Sequence, residues 1–156
     1  MKNYLIGSSS NLLEGNAAWD TLRNQVTLTF QNFGDISSGL VSPNDNGVII
    51  TIFLEDLIEN CLDDYSLIAK SNKALFDLIG KRSVESDEPI IICLASRAYA
   101  SAVASARRDT KIKAFFDDLI SKLIELRNES STVYIINLND IFYKRGSDQM
   151  FSDRNW

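Results

Sequence analysis

The sequence predicts an α/β fold, a three-layer doubly wound parallel sheet with the strand order 2-1-3-4-5. Two runs, residues 48–53 and 89–94, are apolar almost throughout, which is typical of strands covered by helices on both faces. Helical patterns alternate with the predicted strands along the chain. Because strand–helix–strand crossovers are right-handed, this alternation places the strands side by side in one parallel sheet.

The order of elements follows from hydrophobic spacing and turn residues. Strands are predicted at residues 4–6, 26–30, 48–53, 89–94 and 132–138, where apolar, β-branched and aromatic residues concentrate. Helices are predicted at residues 12–24, 67–79 and 112–126, the last preceded by an alanine-rich stretch at 98–106. Gly80 stands directly after the second helical pattern and is expected to cap it. No repeat or linker is visible, so residues 1–156 are expected to form a single domain.

Composition excludes several classes of function. The net charge is −5 without a basic run, so nucleic acid is not an expected partner. No apolar stretch approaches the roughly 20 residues that span a bilayer, so no membrane association is expected, and the cytoplasm is the expected location. The chain has no histidine and two cysteines, which excludes a zinc site of the usual kind. No cofactor and no metal are expected.

Polar residues follow each predicted strand at the edge where the carboxyl ends of the strands meet. In doubly wound sheets, ligands bind beyond this edge. The candidate residues there are Gly7, Ser8, Ser9, Ser10 and Asn11 after the first strand, Gly34 after the second, Glu55 and Asp56 after the third, Ser96 and Arg97 after the fourth, and Asn139 and Asp140 after the fifth.

The loop at residues 7–11 is the most suggestive of these segments. Its backbone N–H groups, placed between a strand and a helix, can cradle an anion, and its serines can supply a nucleophile. The alternative is a tight turn whose serines cap the helix. The loop has neither the Walker pattern nor the GxGxxG pattern.

The charged candidates have two interpretations each. Glu55 and Asp56 could hold a metal ion or act as acid and base. The favoured interpretation is that Asp56 lies in the first turn of a helix, where an acid interacts well with the helix dipole. Arg97 suits an anionic ligand such as phosphate or carboxylate, and a surface role is equally compatible with its position.

Three segments, residues 4–10, 48–57 and 151–156, carry a family resemblance. They resemble the SGNH (GDSL-type) hydrolases, and most closely the N-terminal domain of FkbH-like proteins, which join such a domain to a haloacid-dehalogenase-type phosphatase domain. The resemblance implies that Ser9, in Gly7-Ser8-Ser9, stands at the catalytic serine of the GDS motif. It implies that Gly34 stands at an oxyanion glycine and Glu55 at the oxyanion asparagine. Asp153 falls on the aspartate of the closing DxxH motif, with Trp156 at its histidine.

The departures from the SGNH pattern bear on activity. A serine hydrolase needs an imidazole to take the proton of its serine, and this chain has none. Glu55 would place negative charge where an oxyanion forms. The DxDx[TV] motif of the phosphatase domain is also absent. We therefore expect a catalytically degenerate accessory domain, the N-terminal part of a longer protein.

The resemblance also implies partners and alternatives. The FkbH-like proteins imply glyceryl or acyl transfer to an acyl carrier protein in polyketide biosynthesis, or surface-polysaccharide synthesis. The expected partner is then a carrier protein or a downstream phosphatase-type domain. One alternative is an active serine hydrolase or acyltransferase that uses Ser9 with Asp153 or Glu55 as base. Another is a flavodoxin-like protein that binds a phosphorylated cofactor at the serine loop.

Overall fold

The five strands form one parallel sheet. The structure is a computed structural model, and it describes residues 1–9, 19–32, 34–43, 45–54, 56–57, 65–95 and 106–138. Its strand order is β2-β1-β3-β4-β5, which confirms the predicted order 2-1-3-4-5. The strands are β1 (Asn3–Ser8), β2 (Thr27–Phe30), β3 (Gly47–Phe53), β4 (Ile90–Ala95) and β5 (Val133–Asn137), and each overlaps a predicted strand.

The described helices are α1 (Asp20–Arg23), α2 (Tyr65–Glu85) and α3 (Ala106–Glu129). The prediction that Gly80 caps the second helix is wrong, because α2 continues through it to Glu85. A Cβ on Gly80 would make an ordinary van der Waals contact with Cδ2 of Leu126 at 3.7 Å, so this position of α2 faces α3 and has room for a methyl group.

The hydrophobic core lies between the sheet and the two long helices. Adjacent strands place Val48, Ile90 and Val133 side by side in register, on one face of the sheet. Ile79 of α2 and Leu123 of α3 are buried in the same cluster. Complete burial of one such aliphatic side chain contributes about 1.5–3 kcal/mol, so this face contributes much of the stability of the domain.

The opposite face of the sheet carries a smaller aromatic contact. Phe30 of β2 pairs with Ile6 of β1, and strand alternation puts both on the face away from Leu5. Trp19, just before α1, packs edge-on against Phe30 with ring centroids 5.3 Å apart, and the Arg23 guanidinium lies 5.8 Å from the Phe30 centroid. Chain segments therefore cover both faces of the sheet, as a three-layer fold requires.

The connection from β2 to β3 crosses the sheet over β1. We call residues 34–43 and 45–46 the crossing segment. In it Leu40 is buried in the core, and a Cβ on Gly39 would meet Val48 and Leu5 at 3.1 and 3.6 Å. The crossing segment therefore lies on the same face as α2 and α3 and connects the two ends of the sheet.

None of the helices in the described ranges is long and apolar enough to cross a membrane.

Candidate functional site

The candidate site begins where β1 ends at the carboxyl edge of the sheet. Gly7 and Ser8 are the last residues of β1, and Ser8 is opposite Thr51 of β3. The backbone N–H of Ser9 still donates to the carbonyl oxygen of Thr51, at 3.0 Å. The sheet therefore holds Ser9 in place, although Ser9 lies beyond the last residue of the strand.

The hydroxyl of Ser9 links this strand end to the turn after β3. Its Oγ donates to Oδ2 of Asp56 at 2.9 Å and accepts from the backbone N–H of Phe53 at 2.8 Å. Ser9 is only partly exposed. The two hydrogen bonds use the hydroxyl both as donor and as acceptor, as a structural link between two segments would.

Asp56 reaches Ser9 because the chain turns after β3. Leu54 remains attached to β4 through its N–H, which donates to the carbonyl of Ala95 at 2.9 Å. The N–H of Asp56 then donates to the carbonyl of Phe53 at 3.0 Å, three residues back, which closes a turn. The backbone of Asp56 therefore lies in this turn, and its carboxylate contacts Ser9. Residues 58–64 lie outside the described residues, so the interpretation of Asp56 as a residue of a first helical turn stays a prediction.

Gly7 is a point of close backbone approach. A Cβ at Gly7 would lie 2.6 Å from the carbonyl oxygen of Asp35 and 3.2 Å from Cα of Ile36. Gly34, which directly precedes Asp35, has a φ of +77°, which L-residues with a side chain rarely adopt. The two glycines together allow the crossing segment to start tight against the end of β1.

The carboxylate of Asp35 organises the start of the crossing segment. Its Oδ1 accepts from the backbone N–H groups of Ser38 and Ser37, at 2.9 and 3.1 Å. A side-chain hydrogen bond of Ser38, together with these backbone hydrogen bonds, holds the pKa of the Asp35 carboxyl below its usual range. Asp35 therefore acts as a local cap for the turn that follows it.

The predicted site residues have different outcomes. The structure describes Gly7, Ser8, Ser9 and Gly34, and it brings the strand end at 7–9 against the residues that follow Gly34. Ser10, Asn11, Glu55, Arg97 and Asp153 lie outside the described residues, as does Trp156.

The structure gives two acids at this edge roles that the sequence does not predict. Asp35 is not among the predicted site residues, and no contact between Asp56 and Ser9 is predicted. Both acids lie within a few residues after the end of a strand, at the carboxyl edge of the sheet, and this position is the signal from which they could be identified. Among the described residues, no group of three or more acids, cysteines or histidines is placed to hold a metal ion.

The chemistry of this arrangement suits binding better than proton transfer. An imidazole is the usual group that takes the proton of a catalytic serine, and this chain has no histidine. Asp56 instead accepts a hydrogen bond from the Ser9 hydroxyl and so orients it. Its negative charge also lies next to the place where a bound anion or an oxyanion would be held.

In comparisons with known proteins, no family model and no curated protein matches this chain.

Proposed function

We propose that this chain is a non-hydrolytic, SGNH-like binding domain that acts as an accessory part of a larger enzyme. The observation that carries the proposal is the position of the Ser9 hydroxyl between the Phe53 amide and the Asp56 carboxylate. In a chain without histidine, no imidazole can take the place of that carboxylate.

The proposed ligand site is the carboxyl edge around Ser8 and Ser9. The edge presents a strand end, a turn with a carboxylate, and the tight contact between Gly7 and Asp35. Because the family resemblance implies glyceryl or acyl transfer, the partner we propose is an acyl carrier protein or a phosphatase-type domain of the same enzyme. We expect the domain to work in the cytoplasm, with which the free thiol of Cys93 is compatible.

The first experiment measures p-nitrophenyl acetate turnover by the purified wild-type chain and by Ser9→Ala. We expect the wild type to give no turnover above buffer. Ser131→Ala is the matched control, because its exposed side chain lies just before β5, at the amino ends of the strands. Turnover that disappears in Ser9→Ala and persists in Ser131→Ala would overturn the proposal.

The Ser9–Asp56 hydrogen bond also favours a second candidate, a serine hydrolase or acyltransferase with a carboxylate base. The bases proposed from the sequence, Asp153 and Glu55, lie outside the described residues. Among the described residues, Asp56 is the acid that accepts a hydrogen bond from the Ser9 hydroxyl. This candidate requires the turnover described above and its loss in Asp56→Asn.

A direct binding experiment complements the activity assay. We expect titration of the ¹⁵N-labelled chain with an acyl carrier protein to shift the amide resonances of Gly7, Ser8 and Gly34. These shifts should be larger than those of amides at the amino ends of the strands. The same titration with FMN tests the flavodoxin-like alternative, which the Asp56 carboxylate disfavours because it repels a phosphate. Saturable shifts with FMN alone would replace the accessory-domain proposal with that alternative.

A further inference from the structure

Arg82 is the most deeply buried charged residue of the described chain. It lies in the last part of α2 and is 1% exposed. Its guanidinium donates to the carbonyl oxygens of Ser42, Pro43 and Asn46, with Nη2 at 3.0 Å from the Pro43 oxygen and 2.7 Å from the Asn46 oxygen. One side chain thus donates hydrogen bonds to three carbonyl groups at the C-terminal end of the crossing segment.

The burial of this charge has a cost that the carbonyl groups offset. Burial lowers the pKa of the Arg82 guanidinium, while the nearby acids Asp45 and Glu85 raise it. A buried cation is tolerated when hydrogen bonds satisfy its donors. The planar guanidinium supplies several donors in a fixed arrangement, and the single ammonium of a lysine cannot reproduce this arrangement.

A series of short contacts connects Arg82 with the site. The Oγ of Ser42, whose carbonyl Arg82 binds, donates to the carbonyl of Gly39 at 2.6 Å. The N–H of Leu40 donates to the carbonyl of Ser37 at 2.9 Å.

The series continues to the carboxyl edge. The N–H groups of Ser37 and Ser38 donate to the Asp35 carboxylate. The carbonyl oxygen of Asp35 in turn lies 2.6 Å from the position that a Cβ on Gly7 would take.

We propose that Arg82 is a positioning residue for the carboxyl-edge site and that it acts through the crossing segment. By holding Ser42, Pro43 and Asn46 at the amino ends of the strands, Arg82 keeps the turn at Asp35 against Gly7 at the carboxyl ends. The pair Ser8–Ser9 follows Gly7 directly, so the shape of the site depends on a residue that does not touch it. We call the crossing segment, together with the hydrogen bonds that hold it to Arg82, the strap.

The experiment compares Arg82→Met with Lys81→Met by NMR of the labelled chain. Lys81 is the matched control because it is the neighbouring residue, is exposed, and loses the same charge. In Arg82→Met we expect the pKa of Asp35 to rise toward its ordinary value and the amide resonances of Gly7 and Ser8 to shift. We also expect the Leu40 amide to exchange about tenfold faster, as for the loss of one charged hydrogen bond. Lys81→Met should leave all three readouts at their wild-type values.

Two further variants keep the proposal testable if Arg82→Met does not fold. Arg82→Lys should restore part of the Asp35 pKa change, and Ser42→Ala, which removes one link of the strap, should raise the same pKa with little loss of stability. Readouts at Asp35 and Gly7 that stay at wild-type values in a destabilised but folded Arg82 variant, or in Ser42→Ala, would overturn the proposal. All these measurements use the free chain, so the strap and the proposed ligand can fail independently.

Discussion

The hydroxyl of Ser9 donates a hydrogen bond of 2.9 Å to Oδ2 of Asp56, 47 residues further along the chain. This bond joins the end of β1 to the turn after β3, and the backbone N–H of Phe53, which donates to Oγ of Ser9, strengthens the junction. The serine that the SGNH resemblance assigns to catalysis therefore has a structural task in the free chain.

Removal of this hydroxyl should destabilise the domain. Ser9→Ala leaves the Phe53 N–H and the Asp56 carboxylate without their Ser9 partner, and we expect a loss of about 1–3 kcal/mol in the free energy of unfolding. Asp56→Asn should cost less, because its amide oxygen can still accept from Ser9. Urea unfolding followed by circular dichroism measures both free energies, with Ser131→Ala, an exposed serine just before β5, as the control. Equal stability of Ser9→Ala and wild type would show that the junction contributes nothing.

Three glycines, two at the carboxyl edge of the sheet and one inside α2, should respond differently to alanine. Gly7→Ala should be the most damaging, because its Cβ would meet the Asp35 carbonyl oxygen at 2.6 Å and backbone must move. Gly34→Ala meets no atom within 4 Å but is strained by its φ of +77°, at a cost of about 1 kcal/mol. Gly80→Ala should stabilise by about 0.5–1 kcal/mol, since it lies inside a helix with room for a methyl group.

Thermal unfolding of the three variants checks this order. The expected melting temperatures rise from Gly7→Ala through Gly34→Ala and wild type to Gly80→Ala. A Gly7→Ala variant as stable as wild type would mean that the crossing segment does not press against β1 in solution.

The Asp35 cap should make stability depend on pH in a defined window. Because the pKa of Asp35 is lowered in the folded chain, its contribution is fully present above the ordinary value near about 3.9 and is lost as the pH falls through the folded pKa. At pH 7, Asp35→Ala should lose about 1 kcal/mol, as for other local caps. Unfolding curves at pH 7 and below pH 3 should show the difference from wild type shrinking at low pH. A constant difference would contradict this assignment.

The thiol of Cys93 should react slowly in the folded chain. Burial raises the pKa of this thiol, so less of the reactive thiolate is present near neutral pH. The raised pKa stabilises the fold below the unfolded value of about 8.5, and this contribution is lost as the pH rises through the folded pKa. In a Cys61→Ser background, reaction with a disulfide reagent at pH 8 should be slower for folded than for urea-unfolded protein. Equal rates would show that Cys93 is accessible.

Much of the fold could be predicted because a parallel sheet has strong local signals. The run at residues 48–53 is apolar on both alternating faces, and the structure buries almost all of it in β3 at the centre of the sheet. Strand order followed from chain order and the handedness of crossovers. The C-terminal boundary of α2 was less visible, because Gly80 resembles a cap in sequence although the helix continues through it to Glu85.

The contacts at the site could be predicted only in part. Sequence position placed Ser9 and Asp56 at one edge, but the bond between them depends on the turn geometry after β3. Arg82 gave no local signal at all, since an arginine near the end of a helix is usually exposed. Its acceptors lie 36 to 40 residues earlier, and only the folded chain brings them together.

The interior position of β1 has a consequence for the order of folding. β1 pairs with β2 on one side and with β3 on the other. Asn3 pairs with Thr27, a separation of 27 − 3 = 24 residues, whereas Leu5 pairs with Val48, a separation of 48 − 5 = 43 residues. Because shorter loops close at lower entropic cost, we expect β1 to pair with β2 first and with β3 later. During synthesis, the β3-facing edge of β1, which carries the apolar residues Leu5 and Ile6, therefore stays unpaired until residues 47–53 have emerged. The nascent chain is thus most vulnerable to aggregation and chaperone capture while its first strand is complete and its third is still being made.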